Sequence, residues 1–527
     1  MEAFEGLCPF EWIPRGYAII NVDSRGSWQS EGEHWMAPDR QAGLDGYDII
    51  EWITKQPWSN GKVTMAGNSR LASIQYFVAA EQPPGLACIA PWEGIVDEYR
   101  SDLMRGGRPN FAFNNVILHS FFGCQTIKSL KKEDVLPKHE FDDAYWAHMR
   151  PDISRIEVPT YMLASYTSGL HPVGSVQIFL DAPAKEKWLR FHDSQEWYDI
   201  TRQSSLNLLQ SFYDAFCLDG AAREAAHARW SKTPPVTNCI LPFNKKRGIL
   251  VPSQQWPPSG APSMQLYLGP NGTMSTEHPQ ASGHQSWQSD VRNAKVTFDW
   301  VAPKRMVLCG FPTAILNVSP KDVKESGHEM DIVFVLRKLD RQGNPEHHLS
   351  VSLEELQRTA PEVEKAPPTT DDEWDAQNGV PRVQTLVYYG ATGMMRVSHR
   401  AIAKDANGKE IELGPGYPHH THTAEDVAIA KERQVQRFDA GSPVSFKTGL
   451  WPMGMLLEAG EGLRLEVGGS WLWSPEFEGL IDYQNSENEN KGEHRVHFGA
   501  GEMDGEGEGG HGLSRIVLPV ADLDVPS

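Results

Sequence analysis

Three things are scarce in this chain: long apolar runs, positive charge and paired cysteines. No stretch approaches the roughly 18 consecutive apolar residues that cross a bilayer, and residues 1–5 carry neither the basic start nor the apolar core of a signal peptide. A cytoplasmic protein, away from membranes, is therefore expected. Lys and Arg number 49 against 69 Asp and Glu, so a formal charge of -20 opposes contact with phosphate backbones and anionic lipid. That balance excludes nucleic acid as an expected partner. The cysteines Cys8, Cys88, Cys124, Cys217, Cys239 and Cys309 show no CxxC spacing, and several sit in apolar runs such as residues 86–90 and 306–309. They read as buried thiols, not as a disulfide framework or a zinc site, and no cofactor or metal is implied.

What is present is globular material long enough, at 527 residues, for more than one core. Between residues 16 and 90, short apolar runs alternate with helical periods. Residues 17–22 are almost wholly apolar and end in Asp23-Ser24-Arg25-Gly26, the pattern of a buried parallel strand and its turn. Leu44, Tyr47, Ile49, Ile50 and Trp52 follow at helical spacing, closed by Pro57 and Asn60-Gly61. Residues 63–66 form the next strand candidate, 71–80 a helix and 86–90 another strand, a succession that predicts an α/β fold with a parallel sheet. Residues 97–155, broken by Gly106-Gly107 and Pro109, predict a helical insertion over the sheet. Residues 158–165 and 187–191 add strands, and 204–216 a closing helix. After Pro234-Pro235 the texture changes to short strands between turn residues, at 296–300, 332–336, 383–389 and 463–467, which predicts an all-β sandwich. The domain division is accordingly placed at 1–235 and 236–527. Residues 354–379 and 499–512 have the composition of loose segments.

A nucleophile elbow needs a strand, a sharp turn and a helix, because the serine must stand clear of the sheet while the helix N-terminus faces the developing oxyanion. Ser69 meets that pattern, with Gly67 two residues before it and Ala72 three after. A serine capping an ordinary strand-to-helix turn has the same Gly-x-Ser spacing. The block from 15 to 107 carries Arg15-Gly16-Tyr17, Asp23-Ser24-Arg25-Gly26, Gln56-Pro57-Trp58-Ser59-Asn60-Gly61 and Ala90-Pro91-Trp92-Glu93-Gly94, with Asp97 and Tyr99 behind them. It resembles the cocaine-esterase and X-Pro dipeptidyl-peptidase-like family of serine hydrolases. Tyr388-Tyr389-Gly390, residues 396–400 and Gly460-Glu461 with Leu463-Arg464-Leu465 resemble the jelly-roll domain that ends those enzymes.

The resemblance implies an α/β-hydrolase sheet followed by a jelly roll, and acyl transfer to water: a serine attacks an ester or amide carbonyl, a histidine takes its proton and an aspartate orients that histidine. It places the nucleophile at Ser69, an oxyanion-donating backbone N–H at Arg70, and the base at His192, within hydrogen-bond reach of the Ser69 hydroxyl. Arg70 and Ala72 stand where the family has tyrosine and glycine. His171, in Gly169-Leu170-His171-Pro172, is a competing pocket or turn residue. The family aspartate falls on Ser168, expected beside the other ring nitrogen of His192. Asp193, Glu196 and Asp199 are substitute acids, each expected to be exposed. His419-His420-Thr421-His422 is expected to be a solvated loop. Family members carry strands and an oxyanion tyrosine ahead of residue 17, where this chain has sixteen residues. A shortened hydrolase sheet follows, with strand 17–22 near its edge, residues 1–14 folded across that edge, and a homo-oligomer as a further expectation. The expected activity is hydrolysis of a small-molecule ester or amide, with a natural-product acyl group among the substrate classes. Two rivals are a catalytically degraded relative that binds a small molecule or protein, and a non-hydrolytic biosynthetic catalyst.

Overall fold

Runs that are apolar on both faces need cover on both sides, and a parallel sheet between helices provides it. The computed structural model describes residues 5–35, 37–114, 127–128, 132–243, 247–259, 262–351, 387–472, 490–499 and 512–526. Its first sheet holds β1 (Val63–Asn68), β2 (Leu86–Trp92), β3 (Thr160–Ser165), β4 (Lys187–His192), β5 (Val236–Ile240) and β6 (Ile249–Ser253), in that spatial order. The first five are parallel and β6 closes the sheet antiparallel. Helices α1 (Arg40–Thr54), α2 (Arg70–Ala80), α3 (Pro172–Asp181), α4 (Glu196–Thr201) and α5 (Gln203–Cys217) cover it. Asp39 caps α1 by accepting from the Ala42 N–H at 3.0 Å.

Two expectations change here. The parallel sheet does not stop at residue 235: β5 and β6 lie beyond it, β5 bonded to β4 and β6 to β5, because β4 still offers a free edge after Pro234-Pro235. Residues 17–22 form no strand, and Ile20 and Val22 are about half exposed. Tyr17 instead donates to Asp214 at 2.7 Å and meets Trp12 edge-on, so side-chain contacts with α5 hold this segment where a strand would need a bonded neighbour. β1 is thus the sheet edge. The N-terminal arm does reach it, since the Asn68 N–H donates to the Glu5 carbonyl at 3.0 Å. Phe10, Ile13 and Trp28 are exposed.

Among the cysteines, Cys88, Cys217, Cys239 and Cys309 are buried and free. Cys124 and most of the two loose segments lie outside the described residues. Among the described residues, no helix is long and apolar enough to cross a membrane. Among its described residues, the insertion at 97–155 holds short helical elements, among them Tyr99–Leu103, Lys132–His139 and Ala144–Ala147, and the two-residue strand Ile127–Lys128. Among the described residues, the C-terminal part is mainly β around an eleven-stranded sheet, with the helices Val323–Ser326 and Ala424–Asp439 beside it.

Arginines of the insertion tie the two parts together. Arg100 donates to the His420 carbonyl at 2.9 Å, and Arg105 donates to the Thr392 carbonyl at 2.6 Å while its guanidinium lies 3.8 Å from the Trp451 ring centre. Gly106, at φ +63°, sits so close to strand Gly390–Arg396 that a Cβ would stand 2.2 Å from the Met394 carbonyl oxygen. Fully buried Arg108 lies 3.6 Å from Asp331, which accepts two bonds from Arg396 at 2.8 and 2.9 Å. Burial opposes charge on Asp331, but Arg396 outweighs it and holds the carboxyl below the usual range. Its stabilising contribution is therefore complete above the unfolded pKa of about 4 and is lost as the pH falls through the lower folded value. Asp331→Asn is expected to cost about 3–5 kcal/mol, because it removes the buried carboxylate charge that faces Arg396 and Arg108. Urea denaturation at pH 7 measures that loss, and the gap from wild type should narrow under acid conditions.

Candidate active site

The sheet register brings the elbow and the histidine to one edge. Asn68 pairs with Trp92, Trp92 with Leu163, and Ser165 with His192, so Ser69 and His192 lie at the carboxyl ends of β1 and β4. Ligand sites gather at that edge of a parallel sheet.

Ser69 has φ 57° and ψ -120°, a conformation that a non-glycine residue adopts only under constraint. The constraint is local. The Ser69 N–H donates to the carbonyls of Trp92 and Glu93, each at 3.1 Å, and Ser73 N–H and Ala72 N–H bond back to the Ser69 carbonyl. The Ser73 hydroxyl accepts from Ile95 N–H at 2.9 Å and the Gln75 side chain accepts from Ala90 N–H at 3.1 Å, which clips α2 to β2. Arg70 opens α2, so its N–H belongs to the first turn, where the helix dipole favours negative charge. An ordinary helix-capping serine has extended backbone and accepts from the helix. Ser69 does neither: it makes no side-chain cap bond.

His192 is buried, and its Nε2 lies 2.8 Å from Oε1 of Glu93, a carboxylate with no solvent exposure. The Ser69 hydroxyl is not among its contacts in the described residues. On the other side of Glu93, Oε2 lies 3.6 Å from Nδ1 of His171, also buried. Burial would push the Glu93 carboxyl up, but the two histidines outweigh it and hold the group low. Burial would lower His192, but Asp199 and Glu93 together raise it above its ordinary value. His171 is raised in the same way by Glu93 and Glu196. Glu196 is pushed up to about 7, first by burial and then by the charge on Glu93. Glu98, beside Arg70, also reaches about 7 through burial.

Several expectations are corrected. Ser168 does not stand beside His192. Its hydroxyl lies 3.2 Å from Nδ1 of His171 and accepts from the Leu170 and His171 N–H groups, as a turn residue does. Asp193, Glu196 and Asp199 are buried, not exposed. Asp193 is bound by Arg247 and the Gly248 N–H, each at 2.8 Å. Asp199 pairs with Arg190 and accepts from the Trp92 indole at 3.1 Å. The 419–422 histidines are not a solvated loop either: His420 and His422 are buried, with His422 Nδ1 3.1 Å from His399 Nδ1, and burial lowers all of them. The packed insertion removes the water that their polar sequence suggested. Glu93 was visible in Pro91-Trp92-Glu93-Gly94 but carried no spacing signal of its own, since its partners come from distant strands.

Glu93, His171 and Glu196 have ligand-type atoms within 4.8 Å of one another. That spacing suits one cation, and it suits carboxyls sharing protons equally well.

A strained serine on a strand-to-helix elbow, a histidine from a later strand of the same parallel sheet and an all-β part behind them define an α/β-hydrolase with an appended β domain. The model of the X-Pro dipeptidyl-peptidase (S15 family) matches residues 6–195, and that of the X-Pro dipeptidyl-peptidase C-terminal non-catalytic domain matches residues 228–503. The chain belongs to this X-Pro dipeptidyl-peptidase-like family, which includes the CocE/NonD hydrolases. It is 38% identical over 91 residues to cocaine esterase from a Rhodococcus species, covering 17% of this chain and 16% of that one. It is 34% identical over 96 residues to a putative serine esterase of Mycobacterium bovis, covering 18% and 15%. The matched stretch thus spans about a sixth of the length of these curated relatives. A solved CocE/NonD family hydrolase from Staphylococcus aureus superposes with a TM-score of 0.76 at 26% identity, covering 98% of this chain and 83% of that one. An α-amino acid ester hydrolase shares the fold, with a TM-score of 0.61 at 16% identity over 94% of this chain and 84% of that one.

The elbow tolerates no added bulk at Gly67, where φ is +131° and a Cβ would meet Leu71 Cβ at 2.5 Å and the Glu5 carbonyl at 3.1 Å. Gly67→Ala is expected to cost about 1–3 kcal/mol in backbone strain and to displace Ser69. Thermal unfolding reports the first effect, and a loss of Ser69 reactivity at temperatures where the variant is folded reports the second.

Proposed function

We propose that the protein is a serine hydrolase of ester or amide bonds, in which Ser69 is the nucleophile, His192 the general base and the Arg70 backbone N–H an oxyanion donor. The single observation that carries this reading is the Ser69 backbone at φ 57°, stapled to the Trp92 and Glu93 carbonyls, a strained geometry that a mere helix cap does not need. In this mechanism the Ser69 oxygen attacks the carbonyl carbon as His192 takes its proton. The tetrahedral oxyanion then accepts from the first turn of α2, and collapse expels the alcohol or amine, which takes the proton from His192. Water repeats the sequence on the acyl-enzyme. Simple aryl esters, natural-product acyl esters and X-Pro amides are the substrate classes to compare.

A fluorophosphonate probe tests the nucleophile directly. Wild type is expected to be labelled and Ser69→Ala is not; an unlabelled wild type, or labelling that survives Ser69→Ala, refutes the assignment. The base adds a pH signature. Because His192 is raised above its ordinary value and must be neutral to accept a proton, the labelling rate should climb with pH through a midpoint above about 6.5. A midpoint below that value contradicts His192 as the base.

A further inference from the structure

We propose that Glu93 is the positioning carboxylate of this site, doing for His192 what the family aspartate at position 168 would do; the inference rests on the reading of Ser69 and His192 above. Three observations exclude the other candidates. Ser168 faces His171 and carries no charge. Asp193 and Asp199 are committed to arginines, the first to Arg247 and Arg202 and the second to Arg190. Glu196 neighbours Glu93 closely enough that the charge on one opposes ionisation of the other, and of the two it is Glu93 that meets His192.

Glu93 also lies in the right place along the chain. Its carbonyl accepts the Ser69 N–H, so the residue that contacts the imidazole is bonded to the backbone of the nucleophile. Its own φ of 55° turns the chain sharply after β2. The carboxylate 2.8 Å from Nε2 favours a proton on that nitrogen and leaves Nδ1 to take the proton of Ser69. The ring nitrogens thereby exchange the roles they have in a triad of the usual order. The groups facing His192 are Glu93 from the turn after β2, Arg190 on β4, and Glu196 and Asp199 on α4, with His171 across Glu93.

The 527-residue chain allows two independent readouts, kinetic and spectroscopic. In Glu93→Gln, which keeps the side-chain shape, kcat on an aryl ester is expected to fall by about 10³–10⁴-fold, as for loss of a triad acid. KM should change by less than about threefold and the rising limb of the pH profile should move to lower pH, because a purely structural defect moves neither in that way. A fall of less than about tenfold with the limb in place would overturn the proposal. Adding Ser168→Asp to Glu93→Gln is expected not to restore turnover, since position 168 faces His171; restoration would return the acid to the family position and overturn it. Dialysis against EDTA should leave wild-type activity intact, whereas a loss recovered by Zn²⁺ would mean that Glu93 serves an ion. If Glu93→Gln does not fold, nitrogen-15 NMR of wild type decides: an Nε2-protonated His192 titrating above about 6.5 supports the proposal, and an Nδ1-protonated ring overturns it. The NMR measurement stands even where no fluorophosphonate labelling is seen, so failure of the hydrolase reading and failure of the Glu93 assignment remain distinguishable.

Discussion

A carboxylate removed completely from water costs several kcal/mol unless opposite charge and hydrogen bonds surround it. Glu93 is such a group, with no exposed surface and an imidazole on either side. The arrangement of the site follows from that requirement. The strand register must bring His192 to the carboxyl edge, the turn before α3 must deliver His171, and the chain after β2 must bend through a positive φ so that the Glu93 side chain turns inward while its carbonyl meets Ser69. Any one of these failing would leave an unpaired buried charge. The elbow and the acidic cluster are therefore a single piece of structure, stabilised or lost together.

Around that centre the charges are sorted by partner. Asp199 and Arg190 neutralise each other behind His192, while Asp193 anchors Arg247 and Arg202. For Glu196 and Glu98 burial outweighs the nearby His171 and Arg70 and pushes both carboxyls up to about 7. A site of this kind changes its proton count within the neutral range, which couples whatever chemistry Ser69 performs to pH. The β domain contributes from a distance. By binding Arg100, Arg105 and Arg108 it holds the insertion down beside the residues that follow Glu93, so the chain from 93 to 110 is pinned at both ends.

Much of this was legible in the chain. The apolar runs that became β1 to β4 and the helical periods of α1, α2 and α5 were plain, because burial on both faces of a parallel sheet and on one face of a helix leaves different periodicities. Ser69 was legible for the same reason, since its elbow is made of consecutive residues. Residues 17–22 misled because an apolar run records only that a segment seeks burial, not that a bonded neighbour exists; side-chain contacts between Tyr17, Trp12 and Asp214 took that role. The sheet runs on past residue 235 because Pro234-Pro235 marks a turn, and a turn does not end a sheet whose last strand still has an open edge.

What the sequence determined by itself was the class of fold, the elbow serine and the histidine at the end of β4, all of them encoded by local pattern and by family likeness. Only the tertiary structure decided which carboxylate meets that histidine. Ser168, Asp193, Glu196 and Asp199 all stood nearer to the expected acid position in the chain than Glu93 did. Contact was settled by strand order and by burial: β2 lies beside β1, the turn after β2 faces the end of β4, and a charge placed there must find its partners across the sheet. Neighbourhood of that kind is a property of the folded sheet, which the linear spacing of residues does not carry.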